Sequence, residues 1–253
     1  MWGGAPTLLI SWFILISFVA QAQDSTQWVI NNYLENTGGK SLWEQTKTVK
    51  RSGVSMRFNG GYIGTSAEGE SQLFKHMIKR NGDANNVEKN IGPGRIDSSF
   101  FCHEDGRVSM YLVFNDGTTR YEQIPGDNHD FFKSFDLQLL FFDVDPSLWS
   151  YAGRVIDADN AYYVINYRIP GVDGSQYFFD VETGYLVKNE SLNSSDLIEY
   201  LDYREVKGRV IPWVMKHYRF GNLIYQRRYT DVEYSVEVLP CEEFMPYNEA
   251  RGR

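Results

Sequence analysis

The alternation of apolar and polar positions divides the chain into a short helical opening, a run of strands, one helical interruption and a second run of strands. Ser25 to Asn36 carries apolar side chains at Trp28, Val29, Tyr33 and Leu34, a helical spacing. Asp24 or Ser25 is placed to cap its first turn, and Gly38-Gly39 ends it. A second helical turn follows at Ser41 to Gln45. From Thr48 to Phe58 the chain reads as a strand, closed by Asn59-Gly60-Gly61. Residues 64 to 94 show no clear period. Leu73-Phe74 and Met77-Ile78 are the apolar patch there, and Asn81 to Asn90 reads as a loop. Strands are expected at Ser98 to His103 and Ser109 to Phe114, joined by Glu104-Asp105-Gly106. Asn115-Asp116-Gly117 then makes a hairpin into Thr118 to Ile124.

Asn128 to Phe142 changes character. Phe132, Phe135, Leu139 and Phe142 recur at spacings of three, four and three, flanked by Phe131 and Leu140, while Lys133, Asp136 and Asp143 fall on the other side. That is helix periodicity within a sheet-like chain, capped by Asp127 or Asn128 and closed at Asp145-Pro146. Strands return at Tyr162 to Ile169, Gln176 to Val181, Tyr185 to Ser191, Leu197 to Arg204, Pro212 to Phe220 and Leu223 to Tyr234. The turns between them have identifiable chemistry. The Asp180 carboxylate can accept the amides that follow it, Gly184 and Gly208 suit positive φ, and Pro212 argues for an edge or a strand start. The tail from Leu239 is short and polar.

Composition narrows the function classes. Aromatics make up 15% of residues, with 17 Tyr and 16 Phe, which suits strands and an apolar interior. The net charge of −8 with scattered Lys and Arg excludes a nucleic-acid binder and gives no attraction to anionic lipid. Leu8 to Ala20 is an apolar run too short for a comfortable membrane span, followed by Ala20-Gln21-Ala22, an A-x-A cleavage signature. Residues 1–22 are therefore expected to be a signal peptide, cleaved after Ala22, with Gln23 first in the mature chain. An uncleaved anchor is the alternative, since no Lys or Arg precedes the apolar run. No Cys follows that run, so a lipobox is absent. Residues 23–253 suffice for one sheet-rich domain, in the periplasm or secreted, and a monomer is expected.

Catalytic chemistry is sparse. His76, His103, His129 and His217 form no zinc pattern, and Cys102-His103-Glu104-Asp105 would alternate between the two faces of a hairpin, so no metal site is expected. No nucleophile elbow, phosphate loop or dinucleotide fingerprint is present, so neither a cofactor nor a catalytic residue is assigned. Asp157, Asp159 and Asp173 read as turn residues. Cys102 and Cys241, the only cysteines, can pair in an oxidising compartment or stand as two separate buried thiols. The Phe-rich helix has two readings. It is either a fixed core helix or a lid over an apolar space, where Phe131, Phe132, Phe135, Leu139, Leu140 and Phe142 would meet a ligand.

Two phrases carry a family resemblance: Tyr177-Phe178-Phe179-Asp180-Val181-Glu182-Thr183-Gly184-Tyr185-Leu186-Val187-Lys188, and Asp202-Tyr203-Arg204-Glu205-Val206-Lys207-Gly208-Arg209-Val210-Ile211-Pro212. Together they resemble the C-terminal half of LolA-like proteins, the periplasmic outer-membrane lipoprotein carriers and their sorting-protein relatives. Tyr33 to Gly53 is similar to the opening of many such sorting proteins. The resemblance implies an α+β fold, a strongly curved antiparallel sheet forming an incomplete barrel. The N-terminal helix and the Phe-rich helix would cover its concave face. It also implies a carrier for a lipid or for lipoprotein acyl chains, acting without covalent chemistry and with delivery partners at the inner and outer membranes. Cys102 would then lie in a central hairpin and Cys241 after the last strand, where a disulfide would close a long loop. A module sensing envelope stress or scaffolding a protein partner through the same concave sheet is the second expectation, and an envelope hydrolase the third.

Overall fold

The computed structural model describes residues 25–58, 71–79, 84–90, 96–104, 107–125, 141, 145–168, 174–237 and 240–244. The predicted signal peptide and the six candidate lid residues Phe131, Phe132, Phe135, Leu139, Leu140 and Phe142 lie outside them.

The backbone is organised by one antiparallel ladder. Its strands are β1 (Thr48–Arg57), β2 (Ser71–Lys79), β3 (Ala84–Asn90), β4 (Ile96–Glu104), β5 (Arg107–Phe114), β6 (Thr119–Pro125), β7 (Trp149–Asp157), β8 (Asn160–Tyr167), β9 (Ser175–Asp180), β10 (Leu186–Ser191), β11 (Asp196–Val206), β12 (Arg209–Arg219) and β13 (Asn222–Tyr234). They form a 13-stranded sheet in the order β6-β5-β4-β3-β2-β1-β13-β12-β11-β10-β9-β8-β7. Two meanders, β1 to β6 and β7 to β13, are thus joined by the pairing of β1 with β13. The edge strands β6 and β7 are consecutive in the chain but are not paired with each other, so the barrel stays open. This is the incomplete barrel that the resemblance implies.

Hairpin turns follow the residues that demand them. Asp180 Oδ1 accepts the Thr183 amide at 2.7 Å and the Thr183 hydroxyl at 2.8 Å, and Gly184 takes φ 71°. Lys207 and Gly208 have φ of 50° and 78°, the double positive turn that matches strand twist. Three expectations are corrected. Ala84–Asn90, read as a loop, is β3, and its polar backbone is paired on both sides, by β2 and by β4. The unassigned stretches also supply β2 and β7. Pro212 lies inside β12 rather than at its start, and pairing of β12 with β13 begins only at Val214.

The helix α1 (residues 25–36) lays Val29, Ile30, Tyr33 and Leu34 on the sheet, all buried. Each large side chain so buried contributes about 1.5–3 kcal/mol. The Gly39 amide closes the helix on Leu34 O at 2.9 Å. A Cβ on Gly38, whose φ is 127°, would lie 2.5 Å from Gly208 O, so the helix end can approach the β11–β12 turn only with glycine there. The helix α2 (Lys40–Gln45) buries Trp43, whose indole N–H donates to Thr37 O at 3.1 Å. Arg209 fastens α2 to β12. It donates to Thr46 Oγ1 at 2.8 Å and Leu42 O at 3.0 Å, and stacks on Tyr234 at 4.3 Å.

One core cluster lies under these helices and takes Val49, Trp149, Ile165, Tyr177, Phe179, Leu186, Tyr200, Ile211, Tyr229, Val232 and Tyr234 from β1 and β7 to β13. Phe141 belongs to it, within 6 Å of the rings of Tyr33, Trp149, Tyr177 and Phe179. A smaller cluster holds Cys102 and Tyr111, with Phe100, Val113 and Phe244 against it. Cross-strand registry places it on the other side of the sheet, because Cys102 aligns through Asn85 and Met77 with Lys50, next to the inward Val49. There the short helix α3 (Cys241–Phe244) is bonded to β4 by a disulfide between Cys102 and Cys241, with 5.6 Å between Cα atoms.

Candidate functional site

The inner face is the one that carries α1 and α2, and its character changes along the strands. Near the helices it is aromatic and closed. At the opposite strand ends one cross-strand row runs Arg57, Tyr225, His217, Ile198, Asn189, Tyr177, Ile165, Tyr151 across eight strands. Beyond it, Asp196 Oδ1 accepts Arg219 Nε at 2.7 Å and lies 2.8 Å from His217 Nε2, while Oδ2 accepts Arg219 Nη2 at 2.8 Å. This end of the face is therefore polar and pinned by a bidentate ion pair.

Between the two ends lies a mixed row. Ser55 stands opposite Arg227, and Arg227 opposite Met215, which faces Tyr200. Ser55 is 1% exposed, Arg51 and Arg227 5% each. Strand alternation carries these polar residues inward, since Val49, Arg51, Gly53 and Ser55 are the buried positions of β1. The Arg51 guanidinium lies 5.5 Å from the Tyr229 ring centroid, and Arg227 Nε donates to Tyr225 OH at 3.0 Å. Tyr229 OH reaches Met215 Sδ at 3.6 Å. Sequence reading did not single out Arg51, Ser55 or Arg227. The signal was the phase of β1: once Val49 is inward, Arg51 and Ser55 are inward too.

Buried tyrosines complete the face. Tyr203 OH donates to Leu186 O at 2.6 Å and Tyr200 OH to Asn189 Oδ1 at 3.1 Å. Burial pushes the hydroxyls of Tyr177, Tyr200 and Tyr203 above the ordinary phenol range.

The N-terminal half of the same face differs. Registry with β1 continues through β2 and β3 to Phe101 and Ser99 on β4 and to Met110 and Leu112 on β5. Phe101, Met110, Leu112 and Phe114 are half-buried, and among the described residues none belongs to either core cluster. Helices thus fill the inner face over β7 to β13, and an apolar wall without a core of its own lines it over β4 and β5. Chemically, such a face offers dispersion contacts and a few fixed polar groups. Among the described residues, no three His, Cys, Asp or Glu side chains are grouped to hold a metal ion, and no helix is long and apolar enough to cross a membrane.

Of the residues singled out by sequence, the structure places Cys102 and Cys241 together on the outer face. The Phe-rich candidates are not described, but their neighbour Phe141 is, and it is a core residue.

No protein-family model matches the sequence, and no curated protein aligns with it. Solved structures do match the fold. A DUF1329 family protein from Desulfovibrio piger superposes with a TM-score of 0.55 at 11% identity, over 88% of this chain and 98% of that one. A putative outer membrane lipoprotein-sorting protein domain from Vibrio parahaemolyticus gives 0.55 at 10% identity, over 91% and 98%. A LolA superfamily protein from Nitrosomonas europaea gives 0.54 at 10% identity, over 88% and 98%. The fold is therefore LolA-like.

Proposed function

We propose that this protein binds and carries a lipid, or the acyl chains of a lipoprotein, on the inner face of its incomplete barrel, without covalent chemistry. The observation that supports this reading is the division of that face. Phe101, Met110, Leu112 and Phe114 form an apolar wall outside the helix-covered core. Hiding a methylene from water is worth about 0.8 kcal/mol, so an apolar wall suffices for affinity and no catalytic group is needed. The lipoprotein-sorting fold agrees with this use. In the same reading the Phe-rich segment is a lid, with Phe131, Phe132, Phe135, Leu139, Leu140 and Phe142 toward the chain. The protein is exported, begins at Gln23 after processing, and works in the periplasm as a monomer that meets delivery partners at the two membranes.

The test uses the mature protein and a fluorescent fatty acyl probe. Wild type should bind the probe. Phe135→Ala and Leu112→Ala should weaken binding while costing less stability than an equivalent truncation in the core. Absence of probe binding by wild type, together with no lipid found by native mass spectrometry after mild periplasmic extraction, would defeat the carrier reading. N-terminal sequencing of the exported protein checks the processing site, and recovery of intact Met1 from membranes would overturn it.

A further inference from the structure

Phe220 is the most exposed large apolar side chain among the described residues, at 77%. It is the first loop residue of the two-residue hairpin between β12 and β13, with φ of 49°, and Gly221 follows at 76°. That backbone suits Asn or Gly at the first place and strains a bulky residue. The β11–β12 hairpin has matching angles, 50° and 78°, with Lys207 there, so the turn itself asks for no ring. The tip is also fixed in place. The Phe220 amide donates to Ser195 O at 3.1 Å, Asn222 Nδ2 donates to Phe220 O at 3.3 Å, and Arg219 at its base is clamped on Asp196. A phenyl ring is thus held out in water on a strained residue, and at that exposure packing does not account for it.

The surroundings of the ring are uncharged. Leu192-Asn193-Ser194-Ser195 joins β10 to β11 beside it, and Phe220-Gly221-Asn222 is its own tip. The first charges behind them, Asp196 and Arg219, neutralise each other in the bidentate pair. On the outer face Leu197, Tyr218 and Leu223 form one half-buried cross-strand row just behind the tip. Tyr218 OH donates to Glu199 Oε2 at 3.0 Å, and Glu190, aligned with Leu197, is paired with Lys188. Lys216 lies four residues back from Phe220, about 13 Å along β12.

Along the outer face the order is therefore ring, then tyrosine, then charge. A bilayer presents its layers in the matching order, since amphipathic aromatics gather at the headgroups and interfacial apolar groups are buried about 5–10 Å. We propose that the β12–β13 hairpin is a membrane-contact tip: Phe220 enters the boundary between headgroups and acyl chains of a zwitterionic lipid surface, with Tyr218 and Leu223 at headgroup level. A chain of net charge −8 with an uncharged tip favours such a surface over an anionic one. The tip also lacks the charged groups by which a protein partner would be steered. This goes beyond the carrier reading and uses none of its residues, so either can fail alone.

The experiment is flotation of the full mature chain with phosphatidylcholine vesicles. Wild type should float with them, equally at low and high salt, since apolar insertion is not screened. Phe220→Asn should lower the partition constant about tenfold, as expected for losing most of one ring's transfer. Its melting temperature should be unchanged or raised, because Asn tolerates this φ. Phe220→Trp should keep the partitioning, and brominated acyl chains should quench its fluorescence more than that of wild type. Wild type that stays soluble, binding that vanishes at high salt, or Phe220→Asn that floats as well as wild type would each overturn the proposal, the last leaving a protein as the partner of this tip. A lowered melting temperature for Phe220→Asn would mean that the ring serves the fold, and would overturn it too. Flotation of a wild type that binds no acyl probe would remove the carrier reading and leave this one standing.

Discussion

Phe141→Ala should destabilise the apo protein by about 3–5 kcal/mol. The Phe141 ring is 8% exposed and sits among four aromatic rings, with centroids 5.3 Å from Tyr33, 5.5 Å from Trp149, 5.9 Å from Tyr177 and 5.7 Å from Phe179. Truncation removes the ring from the middle of that group, and its neighbours are poorly placed to collapse. Tyr33 is 0% exposed on α1 and Phe179 is 1% exposed on β9, each locked by its own element. The residual cavity therefore persists, which favours the upper part of the range. Aromatic pair energies of about 0.5–1.5 kcal/mol are already inside that figure and are not added to it. For a domain of this size the melting temperature should fall by about 2–4 °C per kcal/mol, or roughly 6–20 °C in all. Urea unfolding followed by tryptophan fluorescence is the assay, since Trp149 lies in contact with the deleted ring. Phe141→Leu should recover more than half of the loss. A loss below about 1 kcal/mol with an unchanged denaturant slope would refute the reasoning, because the ring would then not be filling this space.

Replacing both Cys102 and Cys241 by serine should cost about 2–5 kcal/mol, because a cross-link over a sequence separation of 139 restricts the unfolded chain strongly; non-reducing peptide mapping and unfolding with and without reductant check it. Gly184→Ala should destabilise by about 1 kcal/mol or more, since φ is +71°, a conformation that a residue with a Cβ adopts only with strain, and the new Cβ would also displace the side-chain amides of Asn36 and Asn32; equal melting curves would contradict this. Stability should fall on the alkaline side. Tyr177, Tyr200 and Tyr203 keep their protons more tightly folded than unfolded, so their contribution is complete below about pH 10 and is lost as pH rises above it. Unfolding free energies from pH 9 to 12 should show that decline, together with a slow ultraviolet tyrosinate step that accompanies unfolding.

What was legible in the sequence was whatever local chemistry dictates. The stripe of α1 is a 3.6-residue period, and Gly38-Gly39 ends it because a close approach and positive φ admit nothing else. The Asp180 and Gly208 turns were readable for the same reason. β3 was not, because Ala-Asn-Asn-Val-Glu-Lys-Asn has poor strand propensity and is a strand only through neighbours supplied by β2 and β4. Arg51, Ser55 and Arg227 escaped notice since polar residues at inward positions break the alternation used to find strands. The six Phe-rich candidates fall on residues the structure does not describe. Phe141, passed over between Leu140 and Phe142, proves to be the core aromatic.

The disulfide on the outer face has a mechanical consequence. Tyr234 aligns through Val49, Ile78 and Ala84 with His103, so the chain leaving β13 must cross four strand spacings, about 19 Å, to reach the neighbourhood of Cys102. It has seven residue steps to Cys241, at most about 23–25 Å, and the bonded Cα atoms are a further 5.6 Å apart. The strap is anchored at its start, where the Ser235 amide donates to Thr48 O and the Thr48 hydroxyl to Val236 O. Chain and bond together reach about 29–31 Å, about 10 Å more than the span. The bond between Cys102 and Cys241 therefore works as a tether rather than as a brace. It leaves small changes of curvature free, and it sets an upper limit on how far β4 can move from the end of β13 when the sheet opens.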